Sequence, residues 1–152
     1  MNIRYDASGR TERLLDKPVW VVDFLPQQVP AESPGQYFAV EAFWQEGPEG
    51  KDLYRRFLRI ILKLNCYHQF DVYYAGCWSH SPSPKILAQQ VLHCASRNSG
   101  VHMNILLDGE LAMLMLDGGD LYFAVYSDDE AVLDLISRLA ASEGPYFRRG
   151  VD

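Results

Sequence analysis

Apolar and polar positions along this chain change period from segment to segment, and the clearest block lies at 101–142. There VHMNILLDGELAMLMLDGGDLYFAVYS is three apolar runs separated by Asp108-Gly109 and by Asp117-Gly118-Gly119-Asp120. Asp-Gly between apolar runs signals a hairpin, because a tight turn needs residues that tolerate positive φ. The pattern predicts a meander of three antiparallel strands near 101–107, 110–116 and 120–126, with connections too short for parallel crossovers. The run 110–116 is apolar at nearly every position, which places it mid-sheet with both faces covered. Ser127-Asp128-Asp129-Glu130 then has capping-box spacing, Val132, Leu135, Ile136 and Leu139 share one helical face, and Gly144-Pro145 ends the helix.

Upstream, residues 1–17 hold Arg4, Arg10, Arg13 and Lys17 with little apolar beyond Leu14-Leu15, and read as a loosely ordered arm with one short helical turn. VWVVDFL, ended by Pro26, is a strand by its β-branched and aromatic content. A Pro/Gly loop at 27–36 leads to YFAVEAFWQ at 37–45, which reads as a second strand. Residues 51–65 are a helix with Leu53, Phe57, Ile60, Ile61 and Leu64 on one stripe. Arg55, Arg56, Arg59 and Lys63 lie off it, as a solvated face rather than a phosphate-binding one. FDVYYA at 70–75 is a third strand, and GCWSHSPSP at 76–84 a loop. Ser83-Pro84 starts a helix carrying Leu87, Val91 and Cys94, and Asn98-Ser99-Gly100 ends it. The order is β β α β α β β β α. It describes a single α+β domain at 18–152, a mainly antiparallel sheet of about six strands packed with two to three helices.

Charge narrows the function classes. The chain of 152 residues has a net charge of −6 and a pI near 5.1. Thirteen of its twenty acids lie in two intervals without Lys or Arg, 18–50 and 98–137. Phosphate would be repelled by such a surface, so nucleic acid is not the expected partner; a basic protein would be attracted and its encounter speeded. No apolar run is long enough for a membrane span, and the N-terminus lacks the apolar stretch of a secretory signal. Cys66, Cys77 and Cys94 match no disulfide framework, which fits a reducing, cytoplasmic setting.

Enzyme-like features are few. The Cys/His pairs Cys66/His68, Cys77/His80 and His93/Cys94 are scattered over different elements, a poor basis for a tetrahedral metal set. Cys66 and Cys94 are expected as small buried hydrophobes. Cys77 with His80 is the one candidate for thiol nucleophile chemistry. Most acids fall in turns or on a first helical turn, where they are structurally favoured. No P-loop, dinucleotide fingerprint, zincin or nucleophile-elbow motif occurs, so neither cofactor nor metal is expected. Trp78, in a polar loop beside His80, and Tyr146-Phe147 are candidate interface aromatics, against core or edge packing for each.

Alternating strands and helices, acidic turns and a final acid-capped helix running into EGPYFRRG resemble bacterial toxin-immunity proteins, including those of contact-dependent growth inhibition. The resemblance implies a cognate basic toxin, such as a nuclease, neutralised by a monomer in a 1:1 complex. Asp117, Asp120, Asp128, Asp129, Glu130 and Asp134 are then the expected charged contacts, with Trp78 and His80 beside them. Arg148 and Arg149 do not fit that scheme. Two other readings stay open: a dimeric secretion-type chaperone holding an effector client, and a small enzyme using Cys77, His80 or a carboxylate pair.

Overall fold

The stripe at 51–65 becomes the spine of the core. The computed structural model describes residues 4–96 and 99–150, and in it the chain opens α1 (Arg4–Leu15), β1 (Val19–Asp23), α2 (Gln36–Glu46), α3 (Pro48–Asn65), β2 (Phe70–Tyr74) and β3 (Cys77–His80). It continues α4 (Pro84–Ala95), β4 (His102–Leu107), β5 (Ala112–Asp117), β6 (Tyr122–Tyr126), α5 (Glu130–Glu143) and β7 (Tyr146–Arg149). On α3, Leu53, Phe57, Ile60, Ile61 and Leu64 are all buried, none more than 3% exposed.

The strands form one sheet in the order β3-β2-β4-β5-β6-β1-β7, with antiparallel neighbours throughout. The meander at β4, β5 and β6 stands as read, and β5 is the middle strand of seven. Asp108 and Gly109 both take positive φ, 46° and 84°, as their turn requires. Alternation along each strand sends Ile105, Leu107, Leu114, Leu116, Phe123 and Val125 to the face covered by α3, α4 and α5. Phe57 meets Phe123 edge-on, ring centroids 5.1 Å apart. The opposite face carries Leu106 and Met113 beneath Leu14 of α1. Both faces of β5 are therefore covered, which is why its sequence is apolar at successive positions.

Several segments differ from the sequence reading. Residues 4–15 form a helix, not a loose arm with one turn; residues 1–3 of that arm lie outside the described residues. A single buried leucine, Leu14, and ion pairs to the sheet hold it, too little for a readable apolar stripe. YFAVEAFWQ is not a strand but most of α2. Tyr37, Glu41, Trp44 and Gln45 turn inward at helical spacing: the Tyr37 hydroxyl donates to Glu41 (3.3 Å), the Gln45 amide donates to the Gly119 carbonyl, and Trp44 packs on Phe24. The loop at 76–84 contains edge strand β3, and the YFRR segment pairs with β1 as β7. Arginines at two of its four positions obscure β7 in the sequence. Phe147 stacks on Trp20 (5.2 Å), and Arg149 lies 5.7 Å over the same indole.

The helix at 130–143 is capped by Asp129, whose Oδ1 accepts from the Val132 amide (2.9 Å), not by a Ser127/Glu130 box. Ser127 instead ties the strand end, donating to the Leu111 carbonyl and accepting from the Asp129 amide. Ser83 caps α4 as expected, accepting from the Ile86 amide. That helix ends at Ala95, and Asn98 lies outside the described residues. No described helix is long and apolar enough to cross a membrane.

Candidate partner-binding surface

The sheet face on which α1 packs, through Leu14 against Leu106 and Met113, continues at its other end into a cleft. There β1 presents Val19, Val21 and Asp23, β6 presents Tyr122, Ala124 and Tyr126, and β7 presents Arg148, with Gly150 just after it. The Pro-rich segment after β1 arches over this floor through Val29 and Pro30 to Tyr37 and Phe38 at the start of α2. The result is a cleft of about 500 Å³ with an apolar floor and walls of three tyrosines and a phenylalanine. One ion pair sits in it: Arg148 Nη2 donates to Asp23 Oδ2 at 2.5 Å, and the Asp23 side chain is only 8% exposed. The second Asp23 oxygen accepts from the Leu25 amide, which fixes where the chain leaves β1.

Beside the cleft, α2 has an unusual outer surface. Its inward stripe uses Tyr37, Glu41, Trp44 and Gln45, so helical geometry turns Ala39, Val40 and Phe43 to solvent. Phe43 is 66% exposed and Phe38, at the cleft edge, 69%; no residue of α2 is buried. The helix is held close to α3 by Gly50, where a Cβ would collide with the Trp44 carbonyl oxygen.

Carboxylates gather at the same end. Asp120, in the β5–β6 turn, is pushed up to about 6 by burial and by the charges of Asp117 and Glu41. Tyr37 is raised by burial and by Glu41 and Asp23, and Tyr122 by burial and by Asp120, Asp117 and Asp23. Tyr54, whose hydroxyl donates to the Gly119 carbonyl at 3.0 Å, is raised to about 12 by burial, Asp120 and Glu41. Four groups from four elements thus feel the same negative field, and no cation enters among the causes of their shifts.

The residues singled out from sequence divide between places. Asp117 and Asp120 belong to this end, with His102 Nδ1 2.6 Å from Asp117. Asp128, Asp129 and Glu130 lie beyond the other end of β6, whose five residues hold the two groups roughly 17 Å apart. Asp128 pairs with Lys17 (3.0 Å), Asp129 caps α5, and Asp134 pairs with Arg138 one helical turn on (2.9 Å). Trp78 and His80 lie on β3, at the far edge of the sheet. Trp78 packs on Tyr73 and on the cluster beneath α1; His80 hydrogen-bonds with Asp71, which also accepts from Arg10 (2.8 Å).

Thiol and imidazole groups do not converge. Cys77 and His80 are three residues apart on β3 and so point to opposite faces. Cys66 is exposed rather than a core hydrophobe, because α3 ends there; Cys94 is buried as expected, and burial raises its thiol to about 12. No three His, Cys, Asp or Glu side chains among the described residues are grouped to hold a metal ion. The sequence reading missed Val40, Phe43, Phe38, Tyr37, Tyr122 and Tyr126. The signal was there in the apolar content of 37–44, which leaves an outward apolar strip once it is wound as a helix. No protein-family model, curated protein or solved structure matches the chain.

Proposed function

We propose that this protein is a binding protein of the immunity type: a cytoplasmic monomer that engages a basic toxin domain, such as a nuclease, and neutralises it in a 1:1 complex. The observation that carries the reading is α2, whose solvent side is apolar while the carboxylates of Glu41, Asp117 and Asp120 stand beside it. Exposed Val40 and Phe43 supply desolvated anchors of the kind that dominate interface energetics. Glu41, Asp117 and Asp120 supply the charge that steers a cationic partner and fixes its register. The contact region is accordingly the α2 and β5–β6 end of the molecule. At the other end, Lys17 and Arg138 already offset Asp128 and Asp134, and Asp129 is committed to its cap.

The test is co-expression with the toxic domain encoded in the neighbouring reading frame, followed by binding kinetics with the purified pair. Phe43→Asp, on a side chain 66% exposed, abolishes protection and raises the dissociation rate. Asp120→Lys slows association, more at low salt than at high. Wild-type protection by both variants would sink the reading.

The outward stripe also favours one other reading, a dimeric secretion-type chaperone in which α2 meets α2 of a second copy. Sedimentation equilibrium separates the two: a monomer at tens of micromolar counts against the chaperone.

A further inference from the structure

We propose that the cleft between the β6-β1-β7 floor and the segment following β1 is a cage for one organic cation, the guanidinium or ammonium of an arginine or lysine side chain presented by the basic partner. The inference rests on the immunity-type reading and adds the ligand group that this site takes.

Geometry comes first. Four aromatic side chains from two elements, Tyr37 and Phe38 of α2 with Tyr122 and Tyr126 of β6, line one cleft of about 500 Å³. That volume exceeds what a single arginine side chain needs and lies toward the small end of ligand sites. The floor of Val19, Val21, Ala124 and Gly150 is apolar, which suits the methylene stem of a long basic side chain. Aromatic faces attract a cation through their quadrupole, and most strongly where water is partly excluded.

Charge selects the occupant. An anion would face Asp23 in the floor and Glu41, held against the Tyr37 hydroxyl, at the wall. Among the described residues the one cation lining the cleft, Arg148, is engaged by Asp23. Burial raises both cleft tyrosines first, and negative charge adds to it, from Glu41 and Asp23 at Tyr37 and from Asp120, Asp117 and Asp23 at Tyr122. A neutral apolar ligand would leave the potential unused.

The experiment needs no natural partner. The probes are Nα-acetyl-arginine methylamide and its uncharged citrulline analogue, titrated into the intact protein while the tyrosine ring resonances are followed by NMR. The arginine probe produces saturable shifts of the Tyr37, Tyr122 and Tyr126 rings, and the citrulline probe binds at least about fivefold more weakly. Tyr122, 40% exposed, tolerates substitution: Tyr122→Leu weakens the arginine probe about fivefold, whereas Tyr122→Phe keeps the ring and the affinity. Absence of saturable shifts, equal binding of the citrulline probe, or equal losses in the Phe and Leu variants would each overturn the cage. Probe and toxin are both assayed on the wild-type protein. A toxin that fails to bind while the probe still does therefore counts against the immunity-type reading alone, and the reverse result against the cage alone.

Discussion

Asp120 is the group whose neutralisation has the most readable consequence. It stands in the β5–β6 turn under Asp117 and Glu41, and its carboxyl is raised from 3.8 to about 6. A shift of that size is a charge penalty of about 3 kcal/mol at most. The side chain is still open to water on one side, and solvent screening brings the expected value to about 1–2 kcal/mol. The sign follows from proton binding. The folded chain holds the Asp120 proton more tightly than the unfolded chain does, so stability rises as pH falls through 6 toward 4. Above about 6 both states are ionised and the whole penalty falls on the folded state.

Asp120→Asn removes the penalty, and is therefore about 1–2 kcal/mol more stable than wild type at pH 7. The advantage shrinks steadily as pH falls from 6 to 4 and vanishes only below the unfolded value of 3.8, where the wild-type carboxyl is protonated in both states. Urea melts of both proteins at pH 7, 6, 5 and 4 measure the difference directly, and titrations common to both cancel from it. A difference independent of pH, or a variant less stable than wild type at pH 7, would refute the field assigned to this end of the molecule. The same linkage reaches binding. A cationic partner that lowers the carboxyl from about 6 releases a proton on association, and its affinity strengthens from pH 5 to pH 7.

Three further outcomes follow from the packing. Leu14→Ala empties the site between Leu106 and Met113 and costs about 2–4 kcal/mol, so thermal unfolding falls by roughly 5–15 °C; a fall under about 2 °C would mean that α1 is not docked. Gly50→Ala brings a methyl against the Trp44 carbonyl; despite the better helix propensity of alanine it destabilises by about 1–3 kcal/mol and displaces α2, read as a changed Trp44 fluorescence. At Asp71 burial pushes the carboxyl up, but hydrogen bonds from His80 and Arg10 outweigh it and the net shift is downward. Asp71 therefore contributes stability above about pH 4 that is lost as pH falls through its lowered folded value. Asp71→Asn costs about 2 kcal/mol at pH 7 and converges on wild type in acid; equal costs at pH 7 and pH 3 would contradict the assignment.

Legibility in the sequence tracked how local each device was. The meander could be read because Asp108-Gly109 and the glycines at 118–119 dictate turns within a few residues of the strands they join. The stripe of α3 could be read because five large apolar residues repeat at one period. Strand β7 could not, since what makes YFRR a strand is its partner β1, more than a hundred residues earlier: Trp20 beneath Phe147, and Asp23 waiting for Arg148. The charge surface was half legible. Lys17 and Arg138 neutralise Asp128 and Asp134 only after folding, so a count of acids along the chain could not tell which of them keep their field.

The misreading of residues 37–45 has a different origin, and it is tied to the proposed function. A helix whose sole duty is to cover a core is apolar on one side and polar on the other, and its period shows. Here Tyr37 and Trp44 face the body while Val40 and Phe43 face water, so apolar residues occur on every side and the helical period is erased. β-Propensity then prevails in any reading from sequence. Sequences specify folds by agreement between local pattern and final environment, and a conflict is tolerated where another demand is met. Phe43 is 66% exposed and belongs to neither core cluster, so most of its apolar surface is in water. The residue that defeats the strand-or-helix decision is thus the one for which the isolated chain offers no use, and a surface completed by another molecule is the reading that gives it one.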